Sequence, residues 1–262
     1  MPTHPDRWAP RTRDDIAGNS EIKQFLWGQF GAIRFEEQHH GSNAMIIAPP
    51  GTGKSTAVRL FLMSLLCENL DQHLNPCHVP HCCGRDSLTG RCGLFAQESS
   101  VHVEVMTVNC ADVHPDQLRR VREIADARSG PLVIWLDEVH RLARRNLDEE
   151  LLVAMDTTEA MWLATSTTVG GLEPAFVDRF RLRLSTSPPT RNEFVGWLAA
   201  RCVDCGVRVD NPTTLALIAD DIGRNGRQGL AALSFAISLN NRLLTRSVAE
   251  DFLDRLTVPA TH

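Results

Sequence analysis

The hydrophobic pattern of the first 187 residues alternates between helical spacing and short apolar runs. Apolar residues recur every three or four positions in residues 19–38, which predicts a helix with Asn19 or Ser20 as its N-cap. Residues 132–136 are apolar throughout, as in a central parallel strand covered on both faces. Strands are predicted at residues 44–47, 101–108, 132–136, 161–164 and 182–184, and helices at residues 19–38, 55–66, 115–127 and 147–155. Strands that alternate with helices predict an α/β fold with a doubly wound parallel sheet.

After Pro188 and Pro189 the apolar spacing becomes purely helical. Helices are predicted at residues 191–205, 213–221, 228–239 and 245–256. We therefore expect two domains, an α/β domain over residues 1–187 and a small all-helical domain over residues 188–262. An insertion rich in Cys and His, residues 67–95, interrupts the first domain, and its prolines and glycines are expected to break any regular element.

The composition is that of an ordinary globular protein, with 43% hydrophobic and 23% charged residues. The longest mostly apolar stretch, residues 60–66, is too short to cross a bilayer, so we expect no contact with a membrane. The polar N-terminus lacks the apolar region of an export signal, which predicts a cytoplasmic protein. A net charge of -5 does not indicate a nucleic-acid-binding protein, but an assembly could still concentrate its basic residues on one inner face.

A phosphate-binding loop is predicted at residues 48–55, which read APPGTGKS between a predicted strand and a predicted helix. Gly51 and Gly53 allow consecutive backbone N–H groups to turn toward an anion at a helix N-terminus. Lys54 would neutralise the charge of the β- and γ-phosphates, and the Ser55 hydroxyl would join the shell of a Mg²⁺ ion. Ala48 stands where such loops usually begin with glycine; the alternative is a glycine-rich turn with a chance lysine. The candidate nucleotide-binding residues of the loop are Pro50, Gly51, Thr52, Gly53, Lys54, Ser55 and Thr56.

Two carboxylates, Asp137 and Glu138, follow the predicted central strand. Because the carboxyl ends of parallel strands form the ligand edge of such a sheet, both side chains are expected to face the phosphate-binding loop. Asp137 would hold Mg²⁺ through its water shell, and Glu138 would orient and polarise the attacking water. The pattern therefore predicts an enzyme that hydrolyses ATP to ADP and phosphate with Mg²⁺; the alternative is a strand that merely ends in a solvated acidic turn.

These motifs and the segments around them resemble the AAA+ superfamily, and within it the clamp-loader branch. Residues 7–19 are similar to the "RP…DDIxGN" opening of that branch, which lies against the adenine and includes Ile16. Residues 137–142, DEVHRL, are similar to "DEVHxL" of the bacterial DNA polymerase III gamma/tau subunit and to "DEIHRL" of the Holliday-junction branch-migration motor. Residues 162–166, WLATS, are similar to the "LLATT" strand of the family. The resemblance covers residues 7–258.

The resemblance also implies functions for three further residues. Thr165 would be the sensor 1 group that contacts the γ-phosphate or water. Arg179, in the sequence VDRF, would be the arginine finger that completes the ATP site of a neighbouring subunit. Arg227 would be the sensor 2 arginine of the helical domain, which would then be the lid. The alternative for Arg179 and Arg227 is a solvated arginine at a helix end.

Five of the eight cysteines lie between residues 67 and 92, which in a cytosolic protein indicates a metal site before a disulfide. The gamma/tau subunit has a four-cysteine zinc module at this point, and its pattern matches Cys67, Cys77 and Cys83. Pro80 occupies the remaining ligand position and cannot coordinate, so His81, Cys82 or Cys92 would replace it. The candidate ligands of a structural Zn²⁺ are therefore Cys67, Cys77, Cys82, Cys83, Cys92 and His81. The alternative is a reduced, metal-free loop, and Cys202 and Cys205 are interpreted as packing thiols.

The resemblance implies a clamp-loader-type ATPase in DNA replication or repair. It would act as a homo- or hetero-oligomer of AAA+ subunits on primer–template DNA and a sliding clamp. Because the chain ends at His262, we expect the C-terminal collar of that branch to be absent. Basic residues in 119–122 and 141–145 would contact DNA phosphates or form solvated helix faces. The alternatives are another DNA-remodelling AAA+ machine, such as a branch-migration motor or a helicase loader, and an ATP-dependent scaffold or defence switch; Glu138 and Arg179 argue for hydrolysis.

Overall fold

A computed structural model describes residues 10–35, 42–83, 94–98, 103–127, 130–145, 147–239 and 242–257 of the 262-residue chain. Its larger sheet has six strands in the order β2-β3-β4-β5-β1-β6. The strands are β1 (Ala44–Ile47), β2 (Leu94–Glu98), β3 (Glu104–Asn109), β4 (Leu132–Asp137), β5 (Met161–Ser166) and β6 (Leu182–Ser185). The five strands other than β2 run parallel, which confirms the predicted parallel α/β sheet.

The edge strand β2 corrects two expectations. It pairs antiparallel with β3, so the sheet is not parallel throughout, and its first two residues, Leu94 and Phe95, fall within the Cys/His-rich insertion, which was expected to lack regular elements. The five residues between Glu98 and Glu104 explain the direction of β2, since a parallel crossover needs a dozen or more residues. The insertion also contains a four-residue helix that begins at Pro80, a residue that fits the first turn of a helix because its missing N–H is not needed there.

Ten α-helices accompany the strands in the described residues. They are α1 (Ser20–Phe35), α2 (Lys54–Leu66), α3 (Pro80–Cys83), α4 (Pro115–Ala127), α5 (Leu152–Thr157), α6 (Pro174–Asp178), α7 (Arg191–Cys205), α8 (Pro212–Asp221), α9 (Gly226–Ser238) and α10 (Arg246–Thr257). Residues 147–155, predicted as one helix, divide into a 3₁₀ turn (Glu149–Leu151) and α5. None of the helices in the described ranges combines the length and apolar character needed to span a bilayer.

The apolar run of β4 is explained by cores on both of its faces. Val133 and Trp135 belong to the core that includes α1 and α2. Ile134 and Leu136 belong to the core that includes α4. Because successive strand residues point to opposite faces, a strand between two cores must be apolar at every position.

Helices α7 to α10 enclose a third core, with Phe194, Leu198 and Leu233 at its centre. This part is not all-helical as predicted, because β7 (Arg208–Val209) pairs parallel with β8 (Leu243–Leu244). Gly206 ends α7 in the left-handed conformation, and the extended chain that follows finds backbone partners in the segment before α10. The domain boundary at residue 188 and the lid function of this part stay predictions.

The carboxyl ends of β1, β4 and β5 lie side by side. In the register of the sheet, Ile47 is opposite Ser166 and Leu136 is opposite Ala164. The loops that follow these strands therefore meet at one edge, where open parallel sheets bind their ligands.

Candidate active site

The predicted phosphate-binding loop connects β1 to α2 and contains two left-handed glycines. Gly51 has a φ of 76° and Gly53, the N-cap of α2, a φ of 92°. The Thr52 hydroxyl donates a hydrogen bond to the Pro49 carbonyl at 2.9 Å and fixes the turn. Backbone N–H groups in this conformation at a helix N-terminus form an anion-binding site.

Lys54 begins α2, and only 8% of its surface is exposed. Its Nζ lies 3.4 Å from the Pro49 carbonyl oxygen. Burial lowers the pKa of Lys54, and the nearby carboxylates of Asp137 and Glu138 oppose that shift. A poorly hydrated ammonium interacts strongly with an anion in the cleft, because the local dielectric constant is low.

Asp137 lies directly behind the loop. The Ser55 hydroxyl donates to Asp137 Oδ1 at 2.9 Å, and the Thr165 hydroxyl donates to the same oxygen. A hydroxyl beside a carboxylate at the end of a phosphate loop is a hard-oxygen donor set suited to Mg²⁺. Thr165 is fully buried and its oxygen accepts from Trp135 Nε1 at 3.4 Å, so it positions Asp137; its role as sensor 1 stays a prediction.

Glu138 lines the cleft in a left-handed backbone conformation, with a φ of 56°. Such a conformation costs a non-glycine residue on the order of 1–3 kcal/mol and is concentrated at active sites. The Glu138 carboxylate forms an ion pair with Arg141, whose Nε lies 3.5 Å from Oε2. The backbone conformation and the ion pair together restrict the position of the Glu138 side chain.

His140 also lines the cleft, and the sequence analysis did not assign it a role. Its Nδ1 lies 3.4 Å from the Ser166 hydroxyl and its Nε2 3.3 Å from the Thr167 hydroxyl. Burial and the neighbouring charge of Arg141 lower the pKa of His140. The imidazole therefore connects the segment after β4 to the segment after β5.

The cleft has a volume of about 570 Å³, and part of its lining is apolar. The residues of this apolar part are Pro10, Ile16, Ala17, Pro189, Phe194, Trp197 and Leu230. Ile16 was predicted from the resemblance, whereas Phe194, Trp197 and Leu230 were not. The sequence alone gives little indication that they line a cleft, because an apolar or aromatic residue in a helix usually marks a core position.

Helix α9 begins at the phosphate-binding loop. Asn225 caps the helix by accepting from the backbone N–H groups of Arg227 and Gln228, and its own amide donates to the Pro50 carbonyl at 3.3 Å. The Gly226 N–H donates to the Gly51 carbonyl at 2.9 Å. These contacts bring Arg227, the predicted sensor 2 residue, into the wall of the cleft.

Asn19 supports the loop from the opposite side. Its side chain was expected to cap α1, but its Nδ2 donates to the Thr52 carbonyl at 2.6 Å and its Oδ1 accepts from Thr186 at 3.3 Å. The residue is only 7% exposed and has a φ of 58°. The helix still begins after it, because the Asn19 carbonyl accepts from the Lys23 N–H.

Arg179, like Asp137 and Thr165 but unlike Lys54 and Glu138, does not line the cleft of its own chain. Its Nε and one terminal nitrogen bind both carboxylate oxygens of Asp156 at 3.0 and 2.7 Å. Its other terminal nitrogen donates to the Ala175 carbonyl at 3.0 Å. The arginine is therefore held on the surface near the C-terminus of α6.

Three cysteines of the insertion form a cluster. The sulfur atoms of Cys67, Cys77 and Cys82 all lie within 4.8 Å of one another, with Cys67 and Cys82 3.7 Å apart. Thiolates that bind a tetrahedral Zn²⁺ with bonds of about 2.3 Å are separated by about 3.8 Å. Burial raises the pKa of Cys67 to about 12, so deprotonation in the folded protein requires a compensating positive charge.

The remaining candidate ligands are placed differently. The Cys83 thiol donates to the Val79 carbonyl at 3.3 Å and lies outside the three-thiol cluster. Cys92 lies outside the described residues, as does the side chain of His81. Cys202 and Cys205 are buried in the core of helices α7 to α10, as packing thiols would be.

The basic segments are partly neutralised by acidic neighbours. Arg119 pairs with Asp116 at 2.5 Å, and Arg122 pairs with Asp126 at 3.7 Å. All four side chains are largely exposed. Contact between these segments and DNA stays a prediction.

Comparisons with known proteins agree with this geometry. The sequence profile of the AAA family, the ATPases associated with various cellular activities, matches residues 44–187, more than half of the 262-residue chain. The solved structure of the Thermotoga maritima RuvB Holliday junction branch migration motor is similar, with a TM-score of 0.63 at 15% identity, over 97% of this chain and 74% of RuvB. A Thermotoga maritima RuvB variant gives a TM-score of 0.64 at 15% identity, over 96% and 74%.

At such low identity the likeness to RuvB establishes the fold alone, and no curated protein sequence matches this chain. The family is established by the profile match, whose boundaries contain the phosphate-binding loop and the Asp137–Glu138 pair. The chain therefore belongs to the AAA family of ATPases.

Proposed function

We propose that this chain is a Mg²⁺-dependent ATPase that releases ADP and phosphate and works within an oligomer. The observation that supports this most strongly is the meeting of Lys54, Ser55, Asp137 and Glu138 at one edge of the sheet, around a loop built to bind an anion. A site for binding alone would not require a carboxylate held in a strained conformation beside the loop.

Each residue would have a separate task in the reaction. Lys54 and the backbone N–H groups of the loop would bind the β- and γ-phosphates. Ser55 and Asp137 would hold Mg²⁺, which supplies charge neutralisation to the phosphates when bound. Glu138 would orient a water molecule and accept its proton as the oxygen of that water bonds to the γ-phosphorus and the bond to the β-phosphate oxygen breaks.

Arg179 and Arg227 complete this proposal. Arg227 lies in the wall of the cleft and would contact the phosphates of its own chain. Arg179 lies outside that cleft, which is the placement expected for an arginine that acts on a neighbouring subunit. ATP hydrolysis would therefore be coupled to assembly.

We further propose that the oligomer acts on DNA in the cytoplasm, as a clamp-loader-type factor on primer–template DNA and a sliding clamp. The sequence similarities around Asp137 and the cysteine cluster of the insertion support this branch of the family. A branch-migration motor is the second candidate, which the likeness to Thermotoga maritima RuvB favours. The sequence is also compatible with a helicase loader and with an ATP-dependent scaffold or defence switch.

A structural Zn²⁺ bound by the insertion is also proposed. The zinc site is supported by the three clustered thiols of Cys67, Cys77 and Cys82, and by the 3.7 Å distance between the sulfur atoms of Cys67 and Cys82. The fourth ligand would come from Cys83, Cys92 or His81.

The test of the ATPase proposal separates binding from chemistry. Glu138→Gln should keep ADP affinity within about twofold and lower turnover by at least the roughly 10²-fold typical of a lost general base. Lys54→Ala should lose nucleotide binding itself. Glu123→Gln, an exposed glutamate on α4, is the matched control and should leave turnover unchanged.

The same assay identifies the DNA substrate. Turnover is measured without DNA, with a primed template plus a sliding clamp, and with a four-way junction. Stimulation by the primed template supports the clamp-loader type, whereas stimulation by the junction alone supports a branch-migration motor.

Wild-type turnover in Glu138→Gln would contradict the assignment of the catalytic base.

A further inference from the structure

The N-terminal arm, defined as residues 10–17, contributes to the apolar part of the cleft lining. Pro10, Ile16 and Ala17 are its lining residues. The arm contains only one short 3₁₀ turn, Arg13–Asp15. Because three residues of 3₁₀ helix carry little stability of their own, the position of the arm must depend on contacts with the rest of the protein.

Asp15 organises the arm internally and binds it to α7. Its Oδ2 accepts hydrogen bonds from the backbone N–H groups of Arg11 and Thr12, each at 2.9 Å. Its Oδ1 accepts from Arg201 at 2.7 Å, and its carbonyl accepts from Trp197 Nε1 at 2.7 Å. Burial alone would raise the pKa of Asp15, but these backbone hydrogen bonds and the charge of Arg201 together lower it, so the carboxylate is charged at neutral pH.

The cysteine loop, defined as residues 67–83, also holds the arm. The Arg13 N–H donates to Asn75 Oδ1 at 3.3 Å, and His78 Nε2 bonds to the Arg11 carbonyl. Neither contact belongs to the catalytic machinery or to the cysteine cluster itself. Both involve arm residues other than Asp15, which binds α7.

Asn75 and His78 are held in position by the cysteine loop. Asn75 is 7% exposed, and both its N–H and its Nδ2 donate to the Asp71 carboxylate at 2.9 Å. His78 has a φ of 59° and directly follows Cys77, whose N–H donates to the Cys67 sulfur at 3.3 Å. His78 therefore depends on the closure of the loop at Cys67 and Cys77, whereas Asn75 is fixed by Asp71 within the same loop.

We propose that the cysteine loop positions the nucleoside-binding wall of the cleft, so that closure of the loop at its thiols sets the affinity for the nucleoside part of the nucleotide. When the loop is closed, Asn75 and His78 bond to the arm, and Ile16 stays in the cleft lining. When the loop opens, both contacts are lost, and the arm keeps its contacts with α7 and with α1 and Asn19, where Lys23 Nζ donates to the Ile16 carbonyl and Asn19 Nδ2 to the Ala17 carbonyl, each at 3.1 Å. The hydrogen bonds of the phosphate-binding loop with Asn19 and Asn225 do not involve the cysteine loop.

This inference rests on the proposed nucleotide binding and predicts a selective defect. Loss of one arm contact should weaken the binding of ADP, which has a nucleoside, by about three- to tenfold, since a net hydrogen bond is worth about that factor. Binding of inorganic tripolyphosphate with Mg²⁺ should stay within about twofold, because that ligand reaches only the phosphate end.

The experiment measures both affinities by calorimetry on the full chain. The variants are Asn75→Ala and His78→Asn; asparagine tolerates the left-handed backbone at position 78 but its side chain is too short to replace the imidazole. His73→Asn is the matched control, because His73 lies in the same loop and its ring bonds only to the neighbouring Gln72 among the contacts described. Thermal denaturation verifies that each variant is folded.

The expected result is weaker ADP binding in both arm variants, unchanged tripolyphosphate binding, and no change in His73→Asn. Treatment of the wild type with a chelator that removes metal from the cysteine cluster should reproduce the selective loss of ADP affinity. Unchanged ADP affinity in both variants, or equal weakening of both ligands, would overturn the positioning role. A wild-type chain that binds neither ligand would instead overturn the proposed nucleotide site.

Discussion

Gly51 lies against Asn225, the N-cap residue of α9. A Cβ built on it would lie 2.0 Å from Asn225 Oδ1, and its φ of 76° is itself unfavourable for any other residue. The sequence alone identified this glycine, because the loop motif is contiguous and its function requires backbone N–H groups without a side chain. It could not identify Asn19 or Trp197 as parts of the site, because their partners Thr52 and Asp15 are 33 and 182 positions away.

The substitution Gly51→Ala should therefore abolish nucleotide binding while the chain remains folded. The left-handed backbone costs alanine about 1–2 kcal/mol, and the added methyl group must also displace Asn225. Calorimetric titration with ADP and thermal denaturation measure the two effects. Gly28→Ala on α1 is the control, because its Cβ would meet no atom within 4 Å, and it should be neutral or stabilise by up to about 1 kcal/mol. Wild-type ADP affinity in Gly51→Ala would contradict the assigned loop geometry.

At the scale of elements, the sequence predicts helices with a clear amphipathic pattern and strands that are buried on both faces. The long amphipathic helix α4 has its predicted bounds, and β4 was recognised from its unbroken apolar run. The pattern did not predict β2, β7 or β8. An edge strand and a two-residue ribbon owe their hydrogen bonds to partners elsewhere in the chain, so their own residues carry no periodic signal.

The cysteine loop gives the prediction at this scale. Protein purified without chelator should contain about one Zn²⁺ per chain by elemental analysis, since three thiols lie within 4.8 Å of one another and two of them are 3.7 Å apart. Cys77→Ser should lose the metal and make residues 67–83 sensitive to protease, whereas Cys205→Ser, in the core of the helical part, should keep it. A wild-type chain that is folded and free of metal, or Cys77→Ser with a full complement of zinc, would disprove the zinc site.

At the scale of the whole molecule, the cleft is formed by segments from both ends of the chain. The loop and the carboxylates come from the sheet, whereas Phe194, Trp197 and Arg227 come from the helical part. The fold class followed from the order of strands and helices. The sequence pattern did not predict that residues of both parts line the cleft. That arrangement depends on packing between segments that are far apart in the sequence.

The complete site should also require a second molecule. Lys54→Ala chains and Arg179→Ala chains should each be inactive, and a mixture should recover part of the turnover, because each chain supplies what the other lacks. An arginine finger is worth on the order of 10³-fold or more in rate, so the recovery is easily measured. Arg183→Ala is the matched control, since Arg183 also forms a surface ion pair, with Asp178, close to Arg179.

An isolated monomer that hydrolyses ATP at the full rate with Arg179→Ala would refute the action in trans. Light scattering with and without ATP and primed DNA reports assembly independently of turnover. Because Arg179 already forms two hydrogen bonds with Asp156, a bond to a neighbour's phosphate would have to replace an existing ion pair of its own chain.

The hydrogen bond between Gly226 and Gly51 has a mechanical consequence. It joins the first residue of α9, a helix of 13 residues, to the phosphate-binding loop. A rigid helix of that size is about 20 Å long, so a tilt of about 10° at its attached end moves its free end by about 3 Å. A small change of the backbone at Gly51 would therefore be enlarged along α9 into a displacement of the residues near Ser238.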